Sequence, residues 1–437
     1  MTAVFLATLA ILNYFIGKRR VLYPPLVFSF VWFLDAIIFS LSPIFVSEVH
    51  PITWQVISVG ALAFSAGGIL IRLFPKSFCS AKVRVLSHPT NSRLSLIILL
   101  IICLICLPIM FRDVLQQGGG GSASEILARS RLSHVDMGDQ GRSWGLVFGT
   151  LPAFSIAVAM LCLIEDGCNL FWISVVVSAA CCILTGGRSY LLQLFVSLAA
   201  IHLLLKGKDR LISAIKFVAT PFAIFICLFS ALIFFDKDVS GFEGDTSAIL
   251  TNFLLAYIVV PIPALDYVLT HSPEYTNAPH HSFEFILLLL NKFGVPVNVP
   301  NMADAYVYVP LPANVYTIYK FYVTDYGLYL AFVVVFIIGF IQTGIYYRAI
   351  AGHKVALFIA ALLVYPVVMS IFDDLFFAGG FMLILKSWLI AAVYFGLLNR
   401  MYCGFRIPHL TLVRFVSWQK RGKNNGSSDN CTVLSEA

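Results

Sequence analysis

The stretch LSLIILLIICLICLPIMF, Leu94 to Phe111, runs 18 residues without a charged side chain. As an α-helix it rises about 27 Å, close to the roughly 30 Å hydrocarbon core of a bilayer. A water-soluble domain has no use for such a run; a membrane span requires one.

Outward from it the chain repeats the pattern, at Thr2 to Ile16, Val21 to Leu41, Ile52 to Ile71, Trp144 to Ile164, Leu170 to Thr185, Tyr190 to Leu205, Leu211 to Phe235, Asp325 to Tyr347, Val355 to Phe372 and Phe376 to Leu398. Eleven spans are expected, within a range of ten to twelve because several are short. Composition agrees: 59% of the 437 residues are hydrophobic, 12% are charged, and the mean hydropathy is +0.90. Average soluble domains carry about a quarter charged residues, so a soluble globule is excluded. The residue-by-residue alternation of an outer-membrane barrel is missing, which leaves helices to satisfy the backbone in lipid. The expected fold is an all-α polytopic integral membrane protein.

Lys and Arg set the orientation. If eleven spans alternate, one side collects Lys18 to Arg20, Arg72 to Arg93, Lys206 to Lys216, Arg348, Lys354 and the six basic residues from Arg400 to Lys423. That side holds 20 of the 29 basic residues against five acids, and the other holds eight against 16. The first side reads as cytoplasm, so the N-terminus is periplasmic and the C-terminus cytoplasmic. The net charge of +7 is then a topology signal, and no nucleic-acid partner is expected. No cleaved signal peptide is expected either, because the basic run follows the first apolar segment.

The layout divides into 1–235, eight spans with a periplasmic loop at 112–143; 236–324, one large periplasmic loop; 325–398, three spans; and 399–437, a polar cytoplasmic tail. Within the large loop, Asn252 to Leu269 is apolar but holds Pro261 and Pro263, and reads as a kinked or re-entrant helix. Phe283 to Leu290 is a second short amphipathic piece. The ten cysteines avoid both periplasmic loops, so no disulfide framework is expected there. Cys103-Cys106 and Cys181-Cys182 read as packing residues inside spans.

Chemistry-bearing side chains are few enough to weigh singly. Asp35 lies in the middle of a span with Lys386 as its obvious opposite charge; an ion pair and a proton-relay or substrate role both remain open. Arg129, Arg131 and Arg142 stand in the 112–143 loop, against the charge trend. Either they pair with loop acids such as Glu125, or their guanidinium forks hold a phosphate or diphosphate. The run Gly118 to Gly121 is a flexible hinge and no P-loop, with a capped short helix from Ser124 after it. Gly186-Gly187 allow a tight reversal that leaves Arg188 at the outer interface, where snorkelling gives it no topological reason to be. Asp236-Lys237-Asp238 forms a D-x-D on the wrong side for nucleotide sugars and reads as a solvated acidic turn. His280-His281 is either a polar turn or a neutral-pH base; no further ligands at metal spacing accompany it, and neither metal nor cofactor is expected.

The run from Asn314, with Val315, Tyr316, Thr317, Tyr319, Lys320, Asp325, Tyr326 and Gly327, opens a long apolar helix and resembles the N-V-Y-T…Y-x-D-[FY]-G stretch of bacterial O-antigen polymerases. The Gly-Gly-Arg-Ser-Tyr turn at 186–190 resembles the G-R turn of the same family, and the many-span layout with one large late loop matches over nearly the whole chain. The family's R-x10-G spacing is not reproduced: Gly141 follows Arg131 by ten positions and Arg129 by twelve.

The resemblance implies a metal-independent glycosyltransferase of GT-C-like membrane architecture in the bacterial inner membrane. Its donor and acceptor partners would be undecaprenyl-diphosphate-linked oligosaccharides, joined at the periplasmic face, with membrane lipids, a chain-length regulator and a flippase as further candidate partners. It implies catalytic roles for Arg188, His280, His281 and Asp325, with a His or the Asp325 carboxylate as base. Arg129, Arg131, Arg142, Tyr316, Tyr319 and Lys320 are the substrate-binding candidates. A polytopic transporter or flippase and an O-antigen ligase are the alternative readings.

Overall fold

The computed structural model describes residues 1–42, 49–73, 89–122, 125–127, 129–130, 145–165, 169–185, 188–205, 258–271, 280–297, 307–309, 312–313, 315–377 and 381–398. The expected span Leu211 to Phe235, the Asp236–Asp245 segment, Arg131, Arg142, Gly186, Gly187 and the tail lie outside these residues.

Ten apolar helices correspond to the other ten expected spans. They are α1 (Thr2–Ile16), α2 (Pro24–Leu41), α3 (Pro51–Leu70), α4 (Pro89–Gly118), α5 (Gly145–Glu165), α6 (Asn169–Leu184) and α7 (Arg188–Leu205), then, after the loop elements, α10 (Tyr319–Ile350), α11 (Lys354–Val368) and α12 (Phe381–Val393). The loop contributes α8 (Pro261–Thr270), α9 (Glu284–Lys292) and an antiparallel pair of two-residue strands, β1 (Val307–Tyr308) and β2 (Pro312–Ala313). Five helices, α2, α3, α4, α10 and α11, are long and apolar enough to cross a membrane, and the others are shorter apolar helices. The chain is a helical membrane protein. Apolar side chains such as Ile105, Trp172, Val176 and Ile341 point outward, as they do where lipid is the solvent.

Helix starts follow local chemistry. Proline opens α2, α3 and α8, where its missing N–H costs nothing. Pro261 and Pro263 occupy the first turn of α8, directly after the helical residues 258–259 and a turn at Val260; residues 252–257 of the kinked or re-entrant helix expected in the loop lie outside the described residues. α4 runs past its expected end through Gln117 to Gly118, where Gly119 takes a left-handed φ of 65°. The short helix after it is capped from Ser122: the Ser122 and Glu125 side chains exchange hydrogen bonds with each other's backbone N–H at 3.4 and 3.3 Å; Ser124 lies outside the described residues.

Packing forms two large buried clusters among the described residues. One gathers Leu6, Phe28, Trp32, Phe64, Tyr319, Tyr322 and Val335 from α1, α2, α3 and α10. The other gathers Leu99, Met160, Cys162, Cys181, Leu194 and Tyr394 from α4 to α7 and the turn after α12. α11 packs on both α7 and α10. The closest crossing joins α3 to α10, where a Cβ on Gly67 would overlap the Phe336 carbonyl and one on Gly339 would overlap the Phe64 carbonyl. Backbone thus lies on backbone, the geometry that small residues permit in lipid.

Polar contacts sort the helix ends into two groups. At one end Arg72 donates to the Ile16 carbonyl, and Lys354 pairs with Glu165 at 2.8 Å. At the other, Asp266 of α8 accepts from the His50 N–H and the Thr53 hydroxyl at the start of α3, at 2.9 and 2.6 Å, and the Ile318 N–H before α10 donates to Ser370 after α11 at 2.9 Å. The loop helices α8 and α9 therefore sit over the starts of α3 and α10.

Candidate functional site

The site is built on the first two turns of α10. Gly327 breaks this helix with φ 72° and ψ 171°, a conformation open to glycine and costly for other residues. The segment from Tyr319 to Tyr326 is therefore set off from the apolar rod that follows. Asp325 projects from it into a nearly closed shell, its side chain fully buried.

Four donors converge on that carboxylate from the turn preceding α9. Asp325 Oδ1 faces His281 Nδ1 at 2.9 Å and the His281 backbone N–H at 3.3 Å; Oδ2 accepts the Ser282 N–H at 2.7 Å and the Ser282 hydroxyl at 2.8 Å. Residues 44 positions apart in the chain are thereby joined. A carboxylate held this way can only accept, so it fixes the imidazole with its proton on Nδ1 and its lone pair on Nε2. The His281 side chain is 24% exposed, and Nε2 has no hydrogen-bond partner among the described residues. The Phe321 ring, 5.3 Å away and tilted by 30°, supports the imidazole from the side. His280 is half-buried in the same turn.

Next to this pair stands a feature the sequence reading missed. Asp373 and Asp374 interrupt the apolar run after α11, and that interruption was a visible signal. Asp374 is fully buried; its Oδ1 accepts from the Tyr322 hydroxyl at 2.8 Å and from the Phe376 N–H at 2.9 Å. Tyr326 borders Ser282 and lies within reach of the charges of Asp325 and Asp374. Asp373 in turn lies near Tyr365, whose hydroxyl faces Ser189 and Tyr190 in the first turn of α7. Arg188 opens that helix. The start of α7, from Arg188 to Tyr190, and the His281–Asp325 pair thus occupy the same end of the bundle, with Asp373 and Asp374 between them.

Other candidates sit elsewhere or do other work. Arg129 donates to the Gly118 and Gly120 carbonyls at 3.4 and 3.0 Å and pairs with Glu125 at 3.5 Å. Its place against the charge trend has a local cause, since a guanidinium at a helix C-terminus satisfies orphan carbonyls; the loop-pairing alternative describes it. Tyr319 is fully buried against Gly60 and Trp32, with its hydroxyl 3.4 Å from the Ile57 carbonyl, and packs the α3–α10 joint without presenting a surface to a ligand. Tyr316 is buried under the Lys320 ammonium, which lies 3.7 Å above its ring; a cation over an aromatic face is a stabilising contact.

The expected Asp35–Lys386 ion pair does not form. Both oxygens of Asp35, a buried residue of α2, have no hydrogen-bond partner among the described residues. Lys386 donates to the Gly149 carbonyl at 2.8 Å, in the packing of α12 on α5. The five described cysteines, Cys103, Cys106, Cys162, Cys181 and Cys182, are free thiols. Compared with family models, with curated proteins and with solved structures, the chain matches none.

Proposed function

We propose that the protein is a membrane glycosyltransferase of the O-antigen polymerase kind, joining lipid-diphosphate-linked oligosaccharide repeats. The observation that carries this reading is the His281–Asp325 pair, because Asp325 belongs to the Asn314–Gly327 run on which the resemblance rests. In this reading the bundle end bearing His281 faces the periplasm of the inner membrane, Leu211 to Phe235 supplies an eleventh span, and the architecture is GT-C-like. His281 Nε2 takes the proton from the acceptor sugar hydroxyl as that oxygen attacks the anomeric carbon of the donor. The bond to the lipid diphosphate breaks with its electron pair, and the charge set free is met by cationic groups, of which Arg188 is the first candidate.

The test is surface lipopolysaccharide from cells lacking the gene, complemented with wild type or His281→Ala. A polymerase defect leaves a single repeat on the core and His281→Ala does not restore the ladder; core alone identifies a ligase instead. A second reading, an ion-coupled transporter, draws on Asp35, a buried carboxylate in a span with no hydrogen-bond partner among the described residues. Asp35→Asn separates the two: coupled transport would stop, whereas polymer length would hold.

A further inference from the structure

The short segment of α10 that carries Asp325 cannot depend on its own helix for its orientation. Gly327 interrupts the ladder directly after Tyr326, so the rotation of Tyr319–Tyr326 must be set by contacts with other elements. A rotation of about 20° would move a group near the helix surface by about 2 Å, enough to separate a carboxylate from a histidine held by a hydrogen bond. A polar side-chain tie on this face is Tyr322, three residues before Asp325 and so on the same side of the helix. Its hydroxyl ends on Asp374 at 2.8 Å. Asp374 is itself fixed, since Oδ1 also accepts the Phe376 and Phe377 N–H groups at 2.9 and 3.4 Å and its own N–H donates to Asp373 at 2.8 Å.

We propose that Asp374, acting through Tyr322, is a positioning residue for the His281–Asp325 pair: it locks the rotation of the first turns of α10 and so holds the carboxylate that orients the imidazole. The inference rests on the proposed role of His281 for its importance, but its geometry stands apart from any substrate. What Asp374 contributes is an acceptor oxygen. Asparagine keeps one and alanine does not.

The test reads the imidazole directly. Purified full-length protein is treated with diethyl pyrocarbonate, and the modification rate of His281 is followed by mass spectrometry, with His271 and His353 as internal references. Asp325→Asn calibrates the rate for a misdirected imidazole. Asp374→Ala and Tyr322→Phe are expected to shift the His281 rate at least threefold in the same direction, with the references unchanged, and Asp374→Asn to stay near wild type. If Asp374→Ala does not fold, Tyr322→Phe carries the test, since it keeps the ring and both backbone bonds of Asp374. An unchanged His281 rate in Tyr322→Phe and in any folded Asp374→Ala, where Asp325→Asn shifts it, would overturn the proposal. So would Asp374→Asn behaving like Asp325→Asn, which would make charge the agent. A chain inactive as a polymerase yet showing the expected rates would refute the functional reading and leave this one standing.

Discussion

A single proton decides what His281 can do. Asp325 accepts from Nδ1–H, which leaves the lone pair on Nε2; an asparagine would offer its own N–H to Nδ1 and drive the proton to the opposite nitrogen. Asp325→Asn should therefore lower kcat by about 10²-fold or more with little change in KM, measured on lipid-linked repeats in reconstituted membranes; a loss confined to KM would remove His281 from the base role. Ser282→Ala should cost less, because three donors remain, two backbone N–H groups and the imidazole. Both members of the pair were legible in the sequence as residue types, a histidine in a loop turn and an acid at the head of a span. Their meeting was not, because it joins positions 281 and 325 through a turn whose approach is set by tertiary packing. Asp374 was overlooked for a different reason: an acid beside a span reads as solvated boundary until burial shows what it accepts.

Helices were the legible layer. Runs such as Leu94 to Phe111 admit one reading, and ten of the eleven expected segments coincide with helices in the described residues. Their ends were less so, because Arg112, Leu115, Gln116 and Gln117 are good helix formers in a stretch too polar to be counted as span, and α4 continues through them to glycine. The α3–α10 crossing was hidden altogether, since Gly67 and Gly339 lie more than 270 positions apart in the chain. It yields a prediction at its own scale. Gly67→Ala forces two backbones apart and should cost about 1–3 kcal/mol, read as a lower thermal midpoint in detergent. Gly396→Ala, with open space around it, should leave that midpoint where it was. Equal midpoints for both variants would mean that α3 and α10 do not cross at these residues.

At the scale of the whole molecule, the two groups of helix ends predict where reporters will land. Fusions after Arg20 and after Gly352 should share one compartment, and fusions after His281 and Asp373 the opposite one; a shared result for Gly352 and His281 would break the bundle's alternation. Charge bias suggested that division, and the Arg72–Ile16 and Lys354–Glu165 contacts fall on one side of it. The interior was less readable: the one acid and one base within spans invited pairing, yet Asp35 lies in the packing of α2 and Lys386 in that of α12 on α5. The break at Gly327 carries a mechanical consequence. The rod after it, Leu328 to Ile350, is about 35 Å long, and such a rod leans further as the surrounding bilayer thins. The segment before it is moored to Ser370 and Asp374 and need not lean. Turnover by the wild type should then vary little when the acyl chains of the host lipid are shortened, whereas Gly327→Ala, which stiffens the joint, should make turnover depend on chain length. In the proposed reading, a site at a membrane surface would in this way be insulated from the thickness of the membrane that carries it.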